Sequence, residues 1–175
     1  MEAADALASL AELERRALEL YRRFAALYAG TPELAAMWRE MSDTEAAHFA
    51  TLTLAADMVQ MEPGGVAAPP SLAPGSLDAA RAVLQSAERK AAEGILPAGE
   101  AVQLALVLES SELPRIMDLL AWVPGRTKGS VTTGIVASLG AHLQCLERLA
   151  TASGRSDVAE KARGLQALAR NLPRA

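Results

Sequence analysis

The residues of this chain that could do chemistry are four glutamates and two histidines at core-facing positions of a heptad pattern. Each lies near the middle of a predicted helix, where an apolar side chain is the rule. The six residues are Glu14, Glu45, His48, Glu109, Glu112 and His142. Buried carboxylates are costly unless they are paired or bound to metal, and carboxylate and imidazole groups are ligands that iron and manganese accept. The pattern therefore predicts a metal site inside a helical protein.

The spacing of these residues adds to the prediction. Glu45 and His48 stand at positions i and i+3, so both face the same side of one helix. The interval from Glu14 to His48 is nearly the same as the interval from Glu109 to His142. The chain thus has a weak internal repeat of two helix hairpins, each with a glutamate on its first helix and a histidine on its second.

Each residue taken alone has a simpler interpretation. A single core glutamate more often lines a polar cavity, and a single core histidine is more often held by hydrogen bonds. Tyr21 alone would be a core residue, and Cys145 is expected to be a small buried hydrophobe. The metal prediction therefore rests on the combination of residue types and spacing.

Composition and helix-terminating residues define the elements that must position these groups. Hydrophobic residues make up 51% of the chain but aromatic residues only 3%, and the abundance of alanine and leucine favours helix over sheet. Thr31 and Pro32 form a helix start, the segment 62–75 is rich in proline and glycine, and the segment 124–129 is predicted to be a turn. We predict four long helices, a crossover that carries a short helix, and a C-terminal helix: residues 3–28, 33–61, 98–123 and 131–152, the crossover 62–97, and the helix 156–172.

These elements predict an all-α fold with a single domain over residues 1–175. Two helix hairpins joined by a long crossover are the arrangement of a ferritin-like four-helix bundle. Four glutamates and two histidines are also the ligand number of a di-metal carboxylate site in such a bundle.

Charge and cysteine content argue against several other classes of protein. The net charge is −4 with no cluster of basic residues, so no nucleic-acid partner is expected. The single cysteine excludes a disulfide framework and a four-cysteine metal module. The acidic N-terminus does not resemble a signal peptide, and the longest apolar stretch, about 131–143, is too short to span a membrane. We therefore expect a cytoplasmic protein. Because a helical chain this small often dimerises, we also expect a homo-oligomer, most simply a dimer.

At these residues the chain resembles the rubrerythrin branch of the ferritin-like superfamily. The resemblance is strongest over the first hairpin, where Glu14, Tyr21, Phe24 and the Glu45-x-x-His48 motif follow the pattern of that family. In the third long helix, Glu109-x-x-Glu112 is similar to the Glu-x-x-Glu element of the family.

The resemblance implies a role for each residue. Glu14 would be a terminal ligand, Glu45 a bridging carboxylate, and His48 a terminal or redox-switching ligand. Glu109 and Glu112 would bind the metals from the second hairpin. The set would be completed by His142, with Tyr21 as a nearby catalytic donor of a proton or an electron.

The activity that the resemblance implies is oxidation of Fe(II) or reduction of peroxide or dioxygen at a di-iron centre. Manganese or zinc are the other metals that such ligands suit. Because Cys145 is the only cysteine, no rubredoxin-like domain is present in this chain, and electrons would come from an external donor protein.

The second hairpin departs from the family pattern. Position 139, where the family has a second bridging glutamate, is Leu139. The second tyrosine of the family is replaced by Ile116 or a neighbour, and Pro114 is expected to kink the third long helix.

Three outcomes for the site stay open at this stage. Glu112 replaces the lost carboxylate, or the site holds one metal at Glu14, Glu45 and His48, or the centre is vestigial and the bundle is a scaffold that acts through protein contacts. A hydroxylase of an organic substrate is a further class, for which the sequence names no substrate.

Overall fold

The computed structural model describes residues 2–61, 67–68, 72, 75–122 and 125–170, and this part of the chain is all-helical. Its regular elements are six α-helices, and its only strand-like pairing is an isolated bridge between Glu2 and Ala67. The helices are α1 (Ala3–Leu27), α2 (Pro32–Gln60), α3 (Asp78–Ala92), α4 (Ala98–Trp122), α5 (Gly125–Ala152) and α6 (Ser156–Arg170). The predicted all-α class is therefore confirmed.

Most predicted helix limits agree with the structure to within about two residues, but the start of α5 was predicted wrongly. The segment 124–129 was expected to be a turn, whereas α5 begins at Gly125. Glycine and threonine lower helix propensity without removing a backbone donor, and only Pro124 lacks its N–H. A helix can therefore start directly after that proline. The predicted loop 62–75 lies largely outside the described residues, as does the predicted end of the last helix at 171–172.

Local sequence explains where the helices begin and end. Thr31 is the N-cap of α2, its carbonyl accepts a hydrogen bond from the Ala35 amide at 3.0 Å, and Pro32 occupies the first turn, as predicted. At the end of α5, Gly154 has a φ of +70°, and the amide of Arg155 donates to the carbonyl of Ala150 at 2.8 Å. This is the Schellman arrangement, which reverses the chain into α6.

The four long helices surround a common interior. α1 packs along α2, α2 packs against α5, and α4 packs against α5. The shorter helices cover the outside, with α3 against α1 and α4, and α6 against α5 and α4. Arg16 of α1 and Glu88 of α3 form a two-pronged ion pair at 2.8 and 3.0 Å, which fixes α3 on the bundle.

α4 runs through Pro114 to Trp122 as one helix. The kink expected at Pro114 stays a prediction. Among the described residues, no helix combines the length and the apolar character that a membrane span needs.

Three aromatic side chains fill the interior of the first hairpin. Trp38, Tyr21 and Phe24 are fully buried. The ring centroids of Trp38 and Phe24 are 4.8 Å apart in an edge-to-face arrangement, and those of Trp38 and Tyr21 are 5.5 Å apart. Such pairs add to the free energy of burial, so this aromatic cluster fixes how α1 sits on α2.

We expect Trp38→Ala to lower the free energy of unfolding by about 3–5 kcal/mol, because it empties the centre of the aromatic cluster. Trp38→Phe keeps one ring in place and should cost less. Leu54→Ala is the control, since Leu54 is 54% exposed and its removal should change stability by about 0.5 kcal/mol at most. Urea unfolding measures all three. Equal losses for Trp38→Ala and Leu54→Ala would contradict this account of the hairpin.

Candidate metal centre

All six predicted ligands are buried in the interior of the bundle. They come from all four long helices, and none is more than 4% exposed. The contributions are one glutamate from α1, the Glu-x-x-His pair from α2, two glutamates from α4 and one histidine from α5: Glu14, Glu45, His48, Glu109, Glu112 and His142. The prediction that these residues face the core is confirmed.

Five of the six form two groups of three that share one residue. In each group, one potential ligand atom per residue lies within 4.8 Å of the other two. The first triad is Glu14, Glu45 and His48, and the second triad is Glu45, Glu109 and His142. Glu45 belongs to both triads, so the structure brings the two halves of the site together at this one carboxylate.

The two oxygens of Glu45 face different histidines. Oε2 lies 3.1 Å from Nδ1 of His48, and Oε1 lies 3.3 Å from Nε2 of His142. The centroids of the two imidazole rings are 5.8 Å apart. A carboxylate in this position can contribute one oxygen to each of two neighbouring cations.

In the first triad, Glu14 is close to its neighbours without being hydrogen-bonded to them. Its Oε2 lies 3.7 Å from Nδ1 of His48, which is too long for a hydrogen bond. Both of its carboxylate oxygens are buried and have no hydrogen-bond partner among the described residues.

In the second triad, Glu109 is the point of contact. Its Oε1 lies 2.7 Å from Nε2 of His142, and it also accepts a hydrogen bond of 2.7 Å from the hydroxyl of Tyr21. Within the described part of the chain, neither nitrogen of His142 has a hydrogen-bond partner with suitable angles, despite that short distance. Short contacts with poor hydrogen-bond angles are expected when the lone pairs of several ligand atoms point toward one common position between them.

These unpartnered atoms fit a bound cation. Leaving a buried polar atom without a partner costs about 1–3 kcal/mol, and here several such atoms lie together: both oxygens of Glu14, Oε1 of Glu45 and both nitrogens of His142. A divalent cation in each triad would coordinate the carboxylate oxygens and one nitrogen of each histidine. The donor set of carboxylate and imidazole is suited to iron or manganese.

Burial and like charge set the protonation of the glutamates when no cation is bound. Burial raises the pKa of Glu45 well above its ordinary value, and the charges of Glu14 and Glu109 raise it further. Burial likewise raises the pKa of Glu112, again with contributions from Glu14 and Glu109. Without metal, Glu45 and Glu112 therefore retain their protons to a higher pH than ordinary glutamates do, and a cation must displace such a proton from any carboxylate that it binds.

Glu14 and His48 behave in the opposite way. Burial opposes ionisation of Glu14, but His48 and Glu45 outweigh it and lower the pKa of Glu14. Burial also opposes protonation of His48, but the carboxylate of Glu14 outweighs it and raises the pKa of His48. The metal-free first triad therefore neutralises itself by pairing a carboxylate with an imidazolium.

Tyr21 stays a phenol. Burial raises its pKa well above the ordinary value, and the charge of Glu109 raises it further. Its proton is thus held in the hydrogen bond to Glu109, and its ring centroid lies 6.3 Å from that of His142. The predicted catalytic tyrosine therefore borders the second triad.

Two residues of the second hairpin mark the limits of the site. Glu112 is buried one turn after Glu109 but belongs to neither triad. Leu139 is 3% exposed and contributes an apolar side chain to the core. Glu45 is consequently the one carboxylate that the two triads share. The side chain of Ile116, which was predicted to stand at or near the position of the family's second tyrosine, lies outside the described residues.

Sequence analysis missed Ser138, which contacts His48 from α5. The hydroxyl of Ser138 lies 2.7 Å from Nε2 of His48. The signal that could have revealed it is spacing, because Ser138 precedes His142 by one helical turn and therefore lies on the same face of α5. Cys145 is buried as predicted, and its thiol donates to the carbonyl of Met37 at 3.3 Å.

No protein-family model, curated protein or solved structure matches this chain. The assignment of a function therefore depends on the geometry of the site.

The raised pKa of Glu45 predicts that metal-free protein loses stability as pH rises. When the pH exceeds 4.5, the ordinary pKa of this carboxyl, Glu45 loses its proton in the unfolded chain but retains it in the folded chain. Stability then falls by about 1.4 kcal/mol per pH unit for each such carboxyl until it ionises in the folded state. Glu112 acts in the same direction, and so does His48, whose raised pKa gives a stabilisation that is lost at high pH.

Glu45→Gln removes one of these contributions. Metal-free Glu45→Gln should match the wild type near pH 4.5 and exceed it in stability increasingly as the pH rises, until Glu45 ionises in the folded wild type. Glu160→Gln, a change on the exposed face of α6, should follow the wild type throughout. Urea unfolding in the presence of a chelator measures the three curves. A Glu45→Gln advantage that is constant or shrinks with rising pH would contradict the assignment of the proton to Glu45.

Proposed function

We propose that this chain is a ferritin-like metal-binding protein that holds two divalent cations, iron in the first instance, between its four long helices. Its activity would be oxidation of Fe(II) or reduction of peroxide or dioxygen, as in the rubrerythrin branch that its first hairpin resembles. The observation that carries the proposal is the sharing of Glu45 between two buried triads.

The two triads suggest how the ligands divide. Glu14 and His48 would hold one cation, Glu109 and His142 would hold the other, and Glu45 would contact both. Bound iron supplies a change of oxidation state, which neither carboxylate nor imidazole groups can provide. Manganese fits the same ligands and can also change its oxidation state. Zinc fits them too, but its oxidation state does not change.

The protein itself contributes burial, orientation and a proton. The ligands are at most 4% exposed, so the site keeps bulk water away and strengthens electrostatic interactions within it. The hydroxyl of Tyr21 orients Glu109 by hydrogen bonding at 2.7 Å. Because its pKa is raised, this hydroxyl stays protonated at neutral pH, and it would give up its proton only to a strongly basic group formed during the reaction.

Leu139 favours a second candidate, a degenerate bundle without metal that acts as a protein-interaction or assembly scaffold. With an apolar residue at that position, the centre lacks one of the bridging carboxylates of the family. The internal pairing of Glu14 with His48 could also satisfy part of the cluster without metal.

Within the leading proposal, electrons come from an external donor protein, and the chain forms a homodimer.

Reconstitution with Fe(II) under anaerobic conditions, followed by metal analysis, tests the proposal. We expect close to two irons per chain for the wild type and for Glu160→Ala. Glu45→Ala should lose bound iron from both triads, because it removes their shared ligand. One iron per chain in the wild type would instead indicate a mononuclear site, and no bound iron would favour the scaffold. Unchanged iron in Glu45→Ala would show that the metal binds elsewhere.

Tyr21→Phe separates chemistry from metal binding. At saturating Fe(II) the variant should still bind close to two irons per chain, because Tyr21 orients Glu109 but is not itself a member of either triad. Its rate of Fe(II) oxidation or peroxide reduction should fall by about 100-fold, the usual effect of losing a positioned proton donor. The matched control is Tyr28→Phe, whose hydroxyl donates to the carbonyl of Leu96 at 2.6 Å. Equal rates in stopped-flow assays of Tyr21→Phe and wild type would remove Tyr21 from the mechanism.

A further inference from the structure

His48 is held on its outer side by a serine of α5. Nε2 of His48 lies 2.7 Å from Oγ of Ser138, and the same hydroxyl donates to the carbonyl of Ile135 at 3.0 Å. A serine hydroxyl has one proton and can accept as well as donate. Because a backbone carbonyl only accepts, a Ser138 hydroxyl that donates to Ile135 can accept from His48, and this direction corresponds to the tautomer of His48 with its proton on Nε2.

This hydrogen bond determines which nitrogen of His48 can bind a cation. In the neutral imidazole with its proton on Nε2, Nδ1 is the nitrogen that presents a lone pair to a cation, and it faces Oε2 of Glu45 at 3.1 Å and Oε2 of Glu14 at 3.7 Å. Outer partners of this kind fix the tautomer and the ring orientation of metal-binding histidines. Ser138 therefore aims Nδ1 of His48 into the first triad.

The two histidines differ in this respect. His142 is fully buried, and its Nδ1 has no hydrogen-bond partner in the described part of the chain. His48, in contrast, is connected through Ser138 to an open groove between α2 and α5, which is lined near this point by the small side chains of Thr44, Ala47 and Ala141. We call the first triad the groove-facing triad, after its link to the groove through Ser138, and the second triad the enclosed triad, after the full burial of His142.

We infer that Ser138 is a positioning residue for His48 and that it sets the metal affinity of the groove-facing triad, Glu14, Glu45 and His48. This inference rests on the proposed di-metal function. Loss of an outer hydrogen-bond partner typically weakens metal binding by about 10- to 100-fold. In Ser138→Ala, the loss should fall on one of the two metals, because Ser138 contacts the histidine of the groove-facing triad, whereas the nitrogens of His142 have no hydrogen-bond partner among the described residues.

The test is anaerobic titration of the metal-free protein with Co(II), which reports each bound ion through its visible absorption bands. Wild type should bind two ions per chain. Ser138→Ala should bind one ion as before and the other about 10- to 100-fold more weakly. Ser138→Thr retains the hydroxyl and should restore the affinity. The control is Thr151→Ala, which removes a hydroxyl that donates to the Glu147 carbonyl in the same helix, with no histidine attached.

A second measurement detects the hydrogen bond itself. In zinc-saturated protein labelled with 15N-histidine, the Nε2–H of His48 should exchange slowly in wild type and Ser138→Thr, and rapidly in Ser138→Ala. A wild type that binds no Co(II) would overturn the proposed function and this inference together. A wild type that binds two ions, with affinities and imidazole exchange unchanged in Ser138→Ala, would overturn the role of Ser138 alone.

Discussion

Glu45 lies between two imidazole rings. The arrangement of the polar side chains inside this bundle depends on the directions of the two carboxylate oxygens of Glu45. Four buried glutamates in one bundle would repel one another and lose their hydration, so such a cluster is stable only when protons or cations neutralise it. Glu45 is the residue through which the two halves of the cluster interact, because its oxygens approach His48 at 3.1 Å and His142 at 3.3 Å. In the metal-free protein it retains its proton to a higher pH than an ordinary glutamate does, and in the proposed metal-bound protein it would give up that proton and help to hold both ions.

The apolar core of the first hairpin and the polar site share one residue, Tyr21. This residue helps to hold the cluster of ionisable side chains in place. Tyr21 packs its ring against Trp38 and donates its hydroxyl to Glu109. Trp38 precedes Glu45 by two turns on the same helix, so the packing of the aromatic cluster also fixes the side of α2 that faces the site. Across the bundle, Ser138 plays the corresponding role for His48. The site is therefore oriented by both hairpins, although only the first contains a Glu-x-x-His motif.

Heptad periodicity was sufficient to predict the helices and the burial of the six ionisable residues, because both follow from which face of a helix a position occupies. Periodicity does not specify side-chain rotamers, and so it could not separate Glu112, which lies outside both triads, from Glu109, which lies in one. It also could not show that Ser138 reaches across to His48, since a serine next to a core position has no distinct hydropathy. The start of α5 was missed for a different reason. Proline and glycine in the segment 124–129 suggested a turn, but the residues that follow Pro124 in this segment all have a backbone N–H and can join a helix.

The central claim is that Glu45 is shared by two metal ions, and anomalous diffraction from crystals loaded with Fe(II) tests it most directly. The account predicts two anomalous peaks about 3.5–4 Å apart, the separation usual in two-metal sites. Each peak should lie within bonding distance of a different oxygen of Glu45. A single peak, or two peaks that Glu45 does not join, would contradict the claim.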